Sequence, residues 1–249
     1  MKSIHKFTVL ALLSVVLATG CKKDKTSPSV VNTVSIPVQT TVQANVSLGA
    51  DASTLAVLAG SAITSTGATK ITGDMGLSPL TSVTGFPPGI LTGTLHVNND
   101  NIASQAQLDL TAAYNDAAGR TCTDIVLLSG NVGGLTLTPG LYKSTSFLEL
   151  SSGDLTFDAR GNAAAVFIVQ IASSFTMTSG RQVFLTGGAK ASNIFWQVGS
   201  SATFGTTAVF KGTIMAYQSI TFDTGATLDG KALARSGAVT MAGNTIVIQ

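Results

Sequence analysis

Charge is scarce in this chain of 249 residues: only 10% are Asp, Glu, Lys or Arg, and Glu149 is the sole glutamate. Hydrolysis of a polysaccharide needs paired carboxylates. Here the acids are scattered, with Asp154 and Asp158 alone near Glu149, and a surface turn is their expected role. No enzymatic activity is expected. Basic residues are as thin: 14 Lys and Arg against 12 Asp and Glu give +2, and setting aside Lys2 and Lys6 leaves 12 of each sign. No basic patch is interleaved with aromatics, which argues against a nucleic-acid partner. Histidine is limited to His5 and His96, and no metal-ligand spacing is visible, so no metal or other cofactor is expected. No glycine-rich phosphate loop occurs. One Trp and three Tyr offer few platforms for sugars, and Trp196 sits in a core-like strand. With two cysteines there is no disulfide framework. Cys122 is expected to be a small buried hydrophobe.

What is present is apolar and small. The chain is 45% hydrophobic and carries 26 glycines, a balance that excludes disorder and fits a repetitive β-structure better than a helical bundle. Lys2 and Lys6 precede an apolar stretch, Phe7 to Leu17, too short to span a bilayer comfortably, as in an export signal. Leu17-Ala18-Thr19-Gly20-Cys21 then resembles a bacterial lipobox, with Ala18 where Leu is commonest. The expected organisation is a signal peptide over 1–20, a lipidated Cys21 with an extended linker over 21–45, and one domain over 46–249. The lipid would be a stable membrane anchor, since more than one acyl chain is attached. Lys22 after Cys21 favours the outer membrane or cell surface; without lipidation the protein would be secreted.

One threonine setting recurs. Thr136, Thr156, Thr176, Thr203, Thr221 and Thr240 each stand between two apolar residues, at steps of 20, 20, 27, 18 and 19 by subtraction. A near-constant period of this size marks a solenoid. In a strand the apolar neighbours point inward and Thr outward, so the six are expected to form one outer column about 4.8 Å apart. A second rank runs through Thr138, Asp158, Thr178, Gly205, Asp223 and Ala242. A rival face would use the third strand of each coil, around Thr227 and Thr245. Three short strands per coil, separated by Gly-Ser, Gly-Thr-Thr and Ala-Gly-Asn turns, predict a right-handed, roughly triangular β-solenoid. Phe167, Phe195, Ile214 and Leu233 are expected inside it. Asp100 to Gly119 breaks the pattern: Ile102, Ala106, Leu110, Ala113 and Ala117 form a helical stripe, with Asp100 and Gly119 as caps, and this helix should lie along one face. Ser65-Thr66-Gly67-Ala68-Thr69 echoes Asp223-Thr224-Gly225-Ala226-Thr227 far along the chain, which predicts that an early coil stacks beside a late one.

Several blocks carry a family resemblance. Ile71-Thr72-Gly73-Asp74-Met75-Gly76-Leu77-Ser78-Pro79, Ala117-Ala118-Gly119-Arg120-Thr121, Gly133 to Tyr142, Asn193 to Val198 and Gly225 to Ala234 resemble, in order, the microbial ice-binding proteins with a discontinuous β-solenoid and a flanking α-helix. The resemblance covers about Val46 to Ile248. It implies a protein that adsorbs to ice through a flat solenoid face and inhibits ice growth and recrystallisation; a monomer is expected. It also implies a Thr-(Ala/Gly)-x-(Thr/Asn) pattern on the binding face. Thr66-Gly67-Ala68-Thr69 and Thr224-Gly225-Ala226-Thr227 fit that pattern. Thr178-Ser179-Gly180-Arg181 and Thr206-Thr207-Ala208-Val209 depart from it, and Arg181 would interrupt a lattice-matched surface. A cell-surface adhesin or glycan-binding structural solenoid is the alternative that the residues leave open.

Overall fold

A computed structural model describes residues 36–97 and 100–248. The predicted signal peptide, Cys21 and the first part of the predicted linker lie outside the described residues.

Short strands wind through three parallel faces. The first comprises Leu55–Ala59, Asp74–Leu77, Leu95–His96, Val126–Leu127, Gly140–Ser144, Phe167–Ile171 and Ile194–Val198, with the second halves of Val209–Ala216 and Thr227–Ala234. The second face runs Gly130–Asn131, Leu148–Leu150, Phe175–Met177, Ala202–Phe204, Ile220–Phe222, Val239–Ala242, Ala62–Thr66 and Ser82–Thr84. The third holds Thr136–Leu137, Leu155–Asp158, Val183–Thr186, the first halves of the two long strands, then Thr245–Val247, Lys70–Thr72 and Ile90–Thr92. The long strands bend from third face to first at Gly212 and Gly230, which pair in register. Only glycine fits there: Gly230 has φ +141°, and a Cβ would lie 2.1 Å from the Gly212 carbonyl oxygen.

The stacking is discontinuous, as the repeated Thr-Gly-Ala-Thr string predicts. Ile63 pairs with Val239, Val57 with Ala232, and Ile71 with Ile246. The first coil therefore sits on the last, and the coil from Asp74 to Thr92 closes that end. The helix, Asn101–Gly119, connects this end to the coil beginning at Val126 and lies along the first face.

Two cores result. The interior holds Phe157, Phe167, Phe175, Trp196, Phe204, Phe210 and Phe222, with neighbouring ring centroids 4.5–6.0 Å apart. Trp196 is fully buried, and its indole N–H donates to the Lys211 carbonyl. The second core lies between helix and first face: Ala106, Leu110, Ala113, Tyr114 and Ala117 meet Ile168, Phe195, Met215 and Leu233. Phe167 and Ile214 are interior as expected, but Phe195 and Leu233 point the other way, under the helix. Strands buried on both sides lose the polar alternation that tells inside from outside.

The helical stripe differs at its start: Ala103 is buried and Ile102 is 36% exposed. Asp100 caps the N-terminus, accepting from the Ile102 N–H at 2.8 Å. Gly119 is the last helical residue rather than a left-handed cap; Arg120 follows in extended backbone. Gln170, buried on the first face, supplies the missing donors, its Nε2 reaching the carbonyls of Ala117 and Arg120, both at 2.8 Å. Ordered contacts begin before Val46. The Gln39 side chain accepts from the Leu141 N–H at 2.8 Å, and Arg120 donates to the carbonyls of Ala44 and Asn45.

Candidate functional site

The second face carries an unbroken column of six threonines. Thr176, Thr203, Thr221, Thr240, Thr64 and Thr84 are each paired directly with the next. At the inter-strand spacing of about 4.8 Å the column spans about 24 Å. Their strand neighbours Phe175, Met177, Ala202, Phe204, Ile220, Phe222, Val239, Met241 and Ile63 are buried, so the fixed interior sets the outward direction of each Thr. Thr64 donates to Thr240 Oγ1 at 3.3 Å. Alternation places residues two before and two after each Thr on the same surface. The column before reads Ser174, Ser201, Ser219, Ala238, Ala62, Ser82; the column after reads Thr178, Gly205, Asp223, Ala242, Thr66 and ends there, because Gly85 turns at φ +85° and Phe86 packs against the interior. Serine hydroxyls stitch coil to coil: Ser201 Oγ accepts the Ser219 N–H, and Ser219 Oγ accepts the Ala238 N–H. Asp223 is the single charge on this grid of small residues, and Glu149 lies in line just past its end.

The Thr-Gly-Ala-Thr strings form the corner between second and third faces. Gly180, Thr207, Gly225, Gly243 and Gly67 occupy it in successive coils, all with φ between +57° and +74°. Four of their N–H groups donate to the next coil, at 2.8–3.0 Å. The two strings sit in different registers. Gly67 stacks on Gly243, and Lys70 pairs with Thr245, as Thr227 does. Ala68 is therefore an extra residue, and it turns Thr69 inward: Thr69 is fully buried, and its hydroxyl is hydrogen-bonded to Ser65 Oγ and the Asn244 N–H. Thr69 is thus removed from the outer surface. Thr66 and Thr224 remain exposed at the corner's edge. Arg181 lies beyond the corner, 3.7 Å from Asp154, outside the threonine grid.

The third face is mixed. Thr136 and Thr156 belong here, not to the six-Thr column, and continue through Phe184 to Lys211, Asp229, Val247, Thr72 and Thr92. Thr227 is in the neighbouring column with Val209, Thr245, Lys70 and Ile90. Phe184 is 45% exposed, and Lys211 and Asp229 form an ion pair at 3.5 Å. Thr138 sits at the far corner with its hydroxyl buried. The expected single column is therefore two. The coil from Thr156 to its partner Phe184 is 28 residues long, so the 20-residue step from Thr156 to Thr176 jumps faces. Thr64 and Thr84, which complete the real column, were hidden by the discontinuity, although Ile63-Thr64-Ser65 and Val83-Thr84-Gly85 carry a similar local signal.

Carboxylates outside this grid hold turns and ends. Asp154 accepts the Gln182 N–H, and Asp158 accepts the Arg160 N–H. His96 lies 2.6 Å from Asp100 and 3.7 Å from Asp74, beside the helix start.

The family model described as Ice-binding-like matches residues 57–247. The chain is 35% identical to an ice-binding protein of Flavobacterium frigoris (strain PS1), over all of this chain and 99% of that one. It is 45% identical to an ice-binding protein of a Nostoc species (strain HG1), covering 82% of this chain and 74% of the relative. The crystal structure of an ice binding protein from an Antarctic biological consortium superposes with a TM-score of 0.85 at 67% identity, over 86% of this chain and 96% of that one.

Proposed function

The chain belongs to the ice-binding-like family, and we propose that it is an ice-binding protein that docks on ice through the second face, centred on the column from Thr176 to Thr84. The observation that carries the choice of face is the unbroken run of six in-register threonines on a nearly uncharged surface. Each Thr presents a methyl that restricts first-shell water and a hydroxyl that anchors it. Repetition at the strand spacing turns these weak groups into a lattice-like array suited to a partner that is itself a lattice. The strands are fixed by the interior, so docking orders little that is not already ordered, and many small contacts can sum. Protein adsorbed this way makes the ice front bulge between molecules, which depresses freezing and blocks recrystallisation. The third face fits less well, since Phe184, Lys211 and Asp229 interrupt it.

The test compares two outward threonines. Thr221→Tyr places a bulky ring in the middle of the column, and Thr156→Tyr places the same ring on the third face. Crystal shaping and recrystallisation inhibition should fall at least tenfold in the first and stay near wild type in the second, with both proteins melting as wild type does. The reverse result would move the site to the third face. No activity in folded wild type would sink the reading altogether.

Attachment through Cys21 is part of the same proposal: a lipid-anchored monomer holding a cell surface to ice. Fourteen residues lie between Cys21 and Ile36, a reach of at most about 50 Å. Fractionation checks it: the protein should follow the membranes, and Cys21→Ser should release it.

A further inference from the structure

Among the described residues, Arg235 is a cation without a carboxylate. Arg120 and Arg181 are each paired with an aspartate, whereas Arg235 forms no ion pair among the described residues. It is clamped between two rings instead, its guanidinium carbon 4.9 Å from the Tyr114 centroid and 5.1 Å from that of Tyr217. Of the five N–H groups a guanidinium offers, one finds a protein acceptor, Thr111 Oγ1 at 3.3 Å from Nη2, and Nε is buried with no partner. The side chain borders a cavity of about 240 Å³ between the helix and the corner joining first and second faces. Ser78, Gln107, Thr111, Tyr217 and Ser236 share its wall. Tyr217 is 47% exposed, so part of its surface is free beside the cation.

We propose that this cavity binds the carboxylate of a uronic-acid unit, as found in acidic polysaccharides, with Arg235 as the anion receptor and Tyr217 as the platform for the sugar ring. A rigid guanidinium matches a carboxylate in a fork geometry, and the ring clamp holds that fork in place before a ligand arrives. One unpaired positive charge balances one negative charge, which fits a carboxylate better than a dianionic phosphate. The wall adds the Ser78 hydroxyl and the acceptor oxygens of Gln107 and Ser236, whose Nε2 and Oγ already donate to the Ala234 and Tyr217 carbonyls, beside the apolar Pro79 and Leu108, and the cavity suits a single sugar unit, being slightly smaller than the usual ligand pocket of about 300–1,000 Å³. The site lies off the threonine grid, so it adds a second binding activity beside adsorption to ice and gives an anchored protein a means of holding extracellular matrix.

Calorimetric titration with trigalacturonate, with neutral galactotriose as control, tests this. Saturable binding at one site is expected for the acidic trimer, at least tenfold weaker for the neutral one. Arg235→Gln should weaken acidic-trimer binding at least tenfold and leave ice shaping intact. Arg235→Lys, which keeps the charge but not the fork, should fall between. If Arg235→Gln does not fold, Tyr217→Ala, at an exposed ring, should cost several-fold. Absence of saturable binding to wild type, undiminished binding by folded Arg235→Gln, or equal affinity for the neutral trimer would overturn the proposal. So would tighter binding of inorganic phosphate than of the trimer.

Discussion

Thr207 is the residue whose local chemistry disagrees most with its place. It stands in a corner column otherwise held by glycine, with φ +57°, a region where a β-branched side chain is strained. Left-handed backbone costs a non-glycine residue about 1–2 kcal/mol, while glycine costs about 0.4–1 kcal/mol through the unfolded chain. Thr207→Gly should therefore stabilise by about 0.5–1 kcal/mol, raising the melting temperature by about 1–4 °C; an unchanged or lower value in a thermal melt would refute the strain argument. The same residue explains why Thr206-Thr207-Ala208-Val209 departs from the Thr-Gly-Ala-Thr pattern while making the same turn. Residue type was legible from sequence, and exposure only in part. Apolar–Thr–apolar correctly marks an outward Thr at Thr176, Thr203, Thr221 and Thr240. It cannot say on which of three faces, because Thr156 and Thr203 have equivalent neighbours. At Thr69 a single extra alanine reverses the direction.

At the scale of elements, the helix and the segment before it show what the sequence conveys and what it withholds. A stripe at helical spacing located Asn101–Gly119 to within a residue at its start, because an amphipathic period is local. The C-terminal seal was not legible, since Gln170 arrives from 50 residues away. Nor was the docking of the extended segment before Val46, whose Ser, Thr, Val, Pro and Gln composition reads as a tether. Asp124 pins it. One carboxyl oxygen accepts the N–H groups of Thr40 and Thr41 at 2.6 and 2.9 Å and the Thr40 hydroxyl at 3.1 Å. These hydrogen bonds, from Thr41 first and then Thr40, hold the carboxyl well below the usual carboxylate range. A carboxyl depressed in the folded state stabilises above its unfolded value, about 4, and the benefit is lost as pH falls from there through the folded value. Asp124→Asn should lower the melting temperature at pH 7, and the gap to wild type should narrow progressively below pH 4. A gap that stays constant down to pH 2 would mean that the charge is not what holds the segment.

For the whole molecule, discontinuity is the dominant property. An ordinary solenoid contacts only its neighbours in sequence, so it can fray from one end and fold from anywhere. Here the coil from Leu55 to Thr72 is seated on the coil that ends the chain, with Thr64 hydrogen-bonded to Thr240 across 176 residues. The helix then ties the closing coil to the opposite end of the stack. No coil between Val126 and Val247 can complete the grid of hydroxyls without the two that precede the helix, since Thr64 and Thr84 extend the column laid down by Thr176 to Thr240. The full length of the column, about 24 Å, thus depends on contacts between the coils on either side of the helix. Such long-range pairing predicts slow folding and one cooperative unit rather than an array. Trp196 reports the middle of the interior, and far-ultraviolet circular dichroism at 222 nm is weighted toward the helix. Their thermal transitions should coincide within about 1 °C, as two-state behaviour requires. Two separated transitions, with Trp196 still buried after the helix has melted, would show that the coils from Val126 onward stand alone, and the closing of the stack would then be an addition to the fold rather than its condition.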